Sequence, residues 1–189
     1  MPVRPTPRLM TADELLHLPK DTPKGDRLYE LHAGHLVVRE PPGGQHGSVQ
    51  IRLGMLLGHH IATHELGVLM SETGVWLARD PDTVKGPDLS FVRRGRLPGG
   101  IVPPGYLELA PDLAVEIRSP NDRKGKEQAR VRALLAGGVR LVWHVEPQKR
   151  RATIHAPGAA PELLGEDGFL DGRDVVPGFR CRLRDALDW

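Results

Sequence analysis

Residues 113–117 read Leu-Ala-Val-Glu-Ile, a nearly continuous apolar run with one carboxylate set inside it. An apolar run of this length reads as a buried central strand. An ionised acid in such a strand costs several kcal/mol of desolvation unless it finds a partner. The chain must therefore fold so that Glu116 meets a cation or a hydrogen-bonding group inside the protein.

What flanks this strand sets the fold class. Residues 122–136 are rich in the good helix formers Arg, Lys, Glu, Gln, Ala and Leu, and Gly137-Gly138 stops them. Apolar strands follow at 139–145 and 151–155. Upstream, 11–17 reads as a short helix, with Thr11 as N-cap and Glu14 completing a capping box. Residues 28–31 and 35–38 flank Ala33-Gly34 and predict a hairpin. A helix is expected from about 47 to 66, weakened by Gly54 and Gly58. Strands are expected at 68–77 and 88–92, with a turn at 79–82 between them. Phe179, Leu183 and Leu187 read as a packed tail. At 189 residues, with no internal repeat and no linker, the sequence predicts a single α/β domain around a mixed sheet.

Composition excludes several function classes. Lys plus Arg total 26 and Asp plus Glu 24, a net charge of +2, too balanced to demand a nucleic-acid partner by itself. The single cysteine, Cys181, allows neither an internal disulfide nor a cysteine-based zinc knuckle. No apolar run approaches the ~20 residues that span a bilayer, so a soluble, cytoplasmic protein without a membrane partner is expected.

Two further acids sit like Glu116. Asp88 follows Pro87 and opens Leu89-Ser90-Phe91-Val92, and Glu30 lies within Leu28-Tyr29-Glu30-Leu31. Three carboxylates gathered by a sheet would form the all-oxygen site that Mg²⁺ or Mn²⁺ prefers, suited to a phosphodiester substrate. The alternative is that each acid caps a turn or pairs with an arginine. Residues 118–132 carry four positive charges in excess, with Arg123, Lys126 and Arg130 on one helical face. That face either holds DNA phosphates or is simply solvated. His59, His60 and His64 offer a zinc-hydrolase alternative, although position 61 is Ile where the metalloprotease signature has Glu.

The ordered set Tyr29-Glu30-Leu31, Gly34-His35-Leu36-Val37, His46, Pro87-Asp88-Leu89-Ser90-Phe91-Val92 and Pro111 through Pro120 resembles the Uma2 family. These are endonucleases of the restriction-endonuclease-like, PD-(D/E)xK superfold, and the resemblance runs from about 11 to 187. It implies a mixed central sheet flanked by helices, Mg²⁺ (or Mn²⁺) as cofactor, DNA as substrate and a homodimer. It assigns Asp88, Glu116 and the Ile117 carbonyl as metal ligands and Glu30 as an accessory acid. His46 matches a family histidine, for phosphate contact or support of the ligands. Asp112 copies the letters of the signature but lies too far along the strand from Glu116. The signature lysine is replaced by Arg118, and the helix position where related proteins carry it is Arg130. Either arginine is expected to contact the phosphate, with Arg123, Lys124 and Lys126 nearby on the substrate side. Arginine keeps the charge but is no general base at neutral pH. The competing reading is a degenerate nuclease fold that binds nucleic acid or acts as a scaffold without cutting.

Overall fold

The computed structural model describes residues 8–19, 28–120 and 124–188. In chain order the elements are α1 (Ala12–Leu16), β1 (Leu28–His32), β2 (His35–Arg39), α2 (Gly44–Thr63), β3 (Gly67–Ser71), β4 (Val75–Ala78), β5 (Thr83–Lys85) and β6 (Leu89–Arg93). There follow β7 (Leu113–Ile117), α3 (Lys124–Ala136), β8 (Leu141–Glu146), β9 (Arg151–His155), β10 (Glu162–Gly165), β11 (Phe169–Asp171), β12 (Arg180–Arg182) and α4 (Leu183–Leu187).

The main sheet has six strands in the order β10-β9-β8-β7-β6-β3. It is mixed because β7 and β8 run parallel, joined through α3, whereas its other neighbours are antiparallel. All five residues of β7 are buried. Strand alternation gives each face of the sheet its own partner. Leu113, Val115 and Ile117 join Val49, Leu53, Leu57 and Ile61 of α2 and the fully buried Trp143 in the largest apolar cluster. Ala114 on the other face joins Val142 and Val131 and Leu134 of α3. Glu116 shares parity with Ala114, so it projects toward α3 and away from the main core.

A second, four-stranded sheet has the order β2-β1-β5-β4. The two sheets are joined by the three residues Gly86, Pro87 and Asp88, between Lys85 at the end of β5 and Leu89 at the start of β6. Asp88 thus stands at the seam, with β1 on one side and β7 on the other.

Most sequence expectations match these elements within a few residues. The Thr11–Glu14 capping box is formed in both directions, and the hairpin pairs Glu30 with Val37 and Leu31 with Leu36. The strand expected over 68–77 is a correction: it is two strands, β3 and β4, in different sheets. The chain breaks where Glu72 takes a left-handed φ of 49° and Gly74 backs onto the Tyr106 ring, which a Cβ would meet at 2.3 Å. The strand β5 and the elements between 162 and 182 also go beyond those expectations. The expected helix start at 122 lies outside the described residues. At its other end, Gly138 takes φ +100°, and a Cβ on Gly137 would lie 2.7 Å from Leu77 Cβ, which accounts for the double-glycine stop.

Candidate active site

Glu30, Asp88 and Glu116 are 3%, 0% and 5% exposed, and they arrive from three different strands or strand ends. Buried acids need partners, and the partner common to two of them is Arg130 from α3. Its Nε donates to Glu116 Oε2, its Nη1 donates to Glu30 Oε1 and Oε2 at 2.5 and 2.6 Å, and its Nη2 donates to the Gly86 carbonyl at 2.5 Å. Val131 and Leu134 anchor the same helix in the apolar cluster, and this fixes where the guanidinium stands.

Asp88 is held differently. Oδ2 accepts from the Ile117 backbone N–H at 2.5 Å and lies 3.1 Å from His46 Nε2, while Oδ1 lies 3.3 Å from Arg39 Nη2. Gln50, one helical turn after His46 on α2, donates to the Asp88 carbonyl at 2.9 Å and to Glu72 at 3.3 Å. Glu30 also receives the Gly86 N–H at 3.0 Å and the Lys85 ammonium at 3.4 Å.

These surroundings push the acids apart in acidity. Burial alone would raise Glu30, but Arg130, Lys85 and Arg39 outweigh it and hold the carboxyl below its ordinary value. Burial likewise opposes ionisation of Asp88, yet His46, the Ile117 N–H and Arg39 keep it low. Glu116 goes the other way: burial, then the neighbouring charges of Asp88 and Glu30, outweigh Arg130 and push it up to about 7. Lys85 is drawn below its ordinary value by burial. His46 is drawn up by Asp88 against the effect of burial.

Two buried atoms of the cluster have no hydrogen-bond partner among the described residues, His46 Nδ1 and Glu116 Oε1. A buried carboxylate oxygen left this way is costly. It is offset by a proton near neutral pH, or by a cation when one binds.

A profile of the Uma2 family, described as "Putative restriction endonuclease", matches residues 12–184. The chain belongs to the Uma2 family. No curated protein matches it at the sequence level. A crystal structure from Anabaena variabilis ATCC 29413, titled as a putative nuclease belonging to DUF820, superposes with a TM-score of 0.79. That match covers 94% of this chain and 97% of the other at 21% identity, which shows a shared fold.

In this Uma2 chain the predicted site residues separate into distinct roles. The expected site of three carboxylates becomes at most two. Among the described residues no group of three or more His, Cys, Asp or Glu is arranged to hold a metal, because Glu30 is turned onto Arg130, Lys85 and Gly86. The donor set around Glu116 Oε1 and Asp88 still fits a hard divalent cation, which takes one or two carboxylates and keeps water for the remainder. Arg118 does not face the acids; it pairs with Glu127 at 2.5 Å and with Glu146 at 2.9 Å. Arg130 faces inward, onto Glu116, Glu30 and the Gly86 carbonyl. Of the two roles expected for His46, its 2% exposure and the 3.1 Å contact of Nε2 with Asp88 Oδ2 match the support of Asp88. Lys126 is exposed on α3, Arg123 lies outside the described residues, and Lys124 opens α3. Asp112 is buried well away from the site, accepting from the Arg93 N–H at 2.9 Å and pairing with Arg96 at 2.7 Å. Near the other end of α2, His60 donates to the Pro177 carbonyl at 2.9 Å and packs edge-on against Phe179, so its Nε2 is occupied in holding the tail.

Arg39, Gln50, Glu72 and Lys85 belong to the same cluster and escaped the sequence reading. Only Gln50 carried a local signal, as a polar residue four after His46 beside the apolar face of Val49 and Leu53.

A pH dependence follows. A folded-state pKa of about 7 for Glu116 exceeds the ordinary 4.5, so the metal-free fold binds an extra proton between these values. Its stability contribution is complete near pH 4.5 and declines as pH rises through about 7. Replacing Glu116 with Gln is expected to flatten that decline and to raise the melting temperature at pH 8 in EDTA. Parallel melting profiles of the two proteins from pH 5 to 8 would contradict the assignment.

Proposed function

We propose that this Uma2 chain is a divalent-metal-dependent endonuclease that hydrolyses DNA phosphodiester bonds. The observation that carries the reading is the unpartnered, buried Oε1 of Glu116 beside the ionised Asp88. Asp88 and Glu116, with the Ile117 carbonyl, would hold Mg²⁺ or Mn²⁺. Such an ion supplies a Lewis acid that activates water and offsets charge on the scissile phosphate.

The chain's own residues do the rest. The Ile117 N–H and His46 fix the orientation of Asp88, and Arg130 fixes Glu116 through Oε2, leaving Oε1 without a donor. Glu116 would hold such an ion only as the carboxylate, so uptake of the ion would be coupled to loss of its proton. No arginine serves as general base. Action on DNA as a cytoplasmic homodimer is part of the same proposal, by virtue of the family resemblance. No helix among the described residues is long and apolar enough to cross a membrane.

A second reading has its own support: Arg118 and Arg130 stand where related proteins carry lysine, and both are fully engaged. That arrangement suits a fold that binds nucleic acid without cutting it. Titration of Mg²⁺ and Mn²⁺ against a labelled duplex separates the two. Cleavage that rises with the ion and disappears in EDTA is expected, whereas ion binding without turnover on DNA or RNA would establish the second reading.

A further inference from the structure

The cluster holds three positive side chains from β2, β5 and α3, and they are not equivalent. Arg130 spends its donors on Glu116, Glu30 and the Gly86 carbonyl, with contacts to Glu30 and Gly86 of 2.5–2.6 Å, and its side chain is 16% exposed. Lys85 is 7% exposed and sealed behind Glu30. Arg39, at the end of β2, is 25% exposed, the most exposed of the three. Its carboxylate contacts are loose, 3.3 Å to Asp88 and 3.6 Å to both Glu30 and Glu72. Its one bond of ordinary length is from Nη1 to the Gly86 carbonyl at 2.9 Å. Among the described residues its Nε meets no acceptor.

We infer that Arg39 is the residue that binds the substrate phosphate, a role the signature positions 118 and 130 have given up to internal ion pairs. The inference rests on the nuclease reading above and adds its substrate-side cation. A planar guanidinium with unspent donors matches two phosphate oxygens at once. Its resting place also explains its timing. Arg39 lies 3.3 Å from Oδ1 of Asp88, so a divalent cation held by that carboxylate would repel it. The guanidinium would then be free to turn outward, where a phosphate could take both its charge and its hydrogen bonds. Arg39 touches both ends of the Gly86–Asp88 segment, so holding an ion at Asp88 would ready the phosphate contact.

The test compares wild type, Arg39→Ala, Arg39→Lys and Arg39→Gln, all checked for folding by thermal melting. Duplex affinity is measured by fluorescence anisotropy in Ca²⁺ across a salt series, and Mg²⁺ affinity by calorimetry without DNA. The alanine variant is expected to bind duplex at least about tenfold more weakly, with the slope of log affinity against log salt reduced by about one. Its Mg²⁺ affinity is expected to be equal or tighter, because a competing cation has been removed. Lysine restores part of the affinity and glutamine does not. Unchanged duplex affinity and slope in the alanine and glutamine variants overturns the inference, as does loss of Mg²⁺ binding. If binding depends on Arg39 but no strand is ever cut, the phosphate role stands and hydrolysis falls. If wild type binds no duplex, both are overturned.

Discussion

Arg130→Ala is expected to destabilise the protein by about 3–5 kcal/mol, because it leaves two buried acids without their shared partner. The guanidinium contacts Glu30 through both oxygens, Glu116 through Oε2 and the Gly86 carbonyl. Alanine removes every one of these bonds while Glu30 and Glu116 stay 3% and 5% exposed. Lys85 and Arg39 remain near Glu30, but at 3.4 and 3.6 Å they are a weaker substitute. Arg130→Lys keeps one charge and loses the fork, so it recovers part of the loss. The penalty also shrinks below pH 6, where Glu116 takes a proton and one buried charge disappears. Urea unfolding at pH 7.5 and pH 5.5 checks both statements. A loss below about 1 kcal/mol at pH 7.5 would show that the clamp contributes little.

Asp88→Asn is expected to abolish binding of Mg²⁺ and to lower cleavage of a duplex at least about a thousandfold, equivalent to about 4 kcal/mol of transition-state stabilisation. The carboxylate is wholly buried and carries two donors on one oxygen, the Ile117 N–H and the His46 ring. An amide offers one acceptor and one donor group where two acceptors are needed, so either Ile117 or Arg39 faces an N–H. Calorimetric Mg²⁺ titration and single-turnover cleavage measure the two effects separately. Normal Mg²⁺ affinity in the variant would remove Asp88 from the ligand set. Full ion affinity lost with cleavage retained would remove the ion from the reaction.

Local order was largely legible in the sequence, and long-range pairing was not. The run 113–117 announced a buried strand, and the misfit of Glu116 within it pointed to the site. The capping box at Thr11 and the Ala33-Gly34 turn are chemistries of adjacent residues, so they were readable directly. Asp88 was visible from its place after Pro87 at the head of an apolar strand. The break at 72–74 was hidden because a left-handed Glu72 and a glycine packed on Tyr106 leave no periodicity mark. The clamp was hidden for a related reason. Arg130 reads as one more charge on a basic helical face, and only the apposition of α3 with both sheets turns it inward, 100 residues from Glu30. Arg118 misled in the opposite direction: two residues after Glu116 it has the parity of the site, yet Glu127 and Glu146 draw it aside.

Hydrolysis by this route requires Asp88 and Glu116 to grip one cation together. Crystals grown without metal and then soaked in Mn²⁺ would test this through anomalous scattering. One peak is expected at about 2.1 Å from an Asp88 oxygen and from Glu116 Oε1, with Arg39 turned away from Asp88 and Arg130 still on Glu116 Oε2. A map with no peak there, with Arg39 still on Asp88 and Glu116 Oε1 still unpartnered, would contradict it.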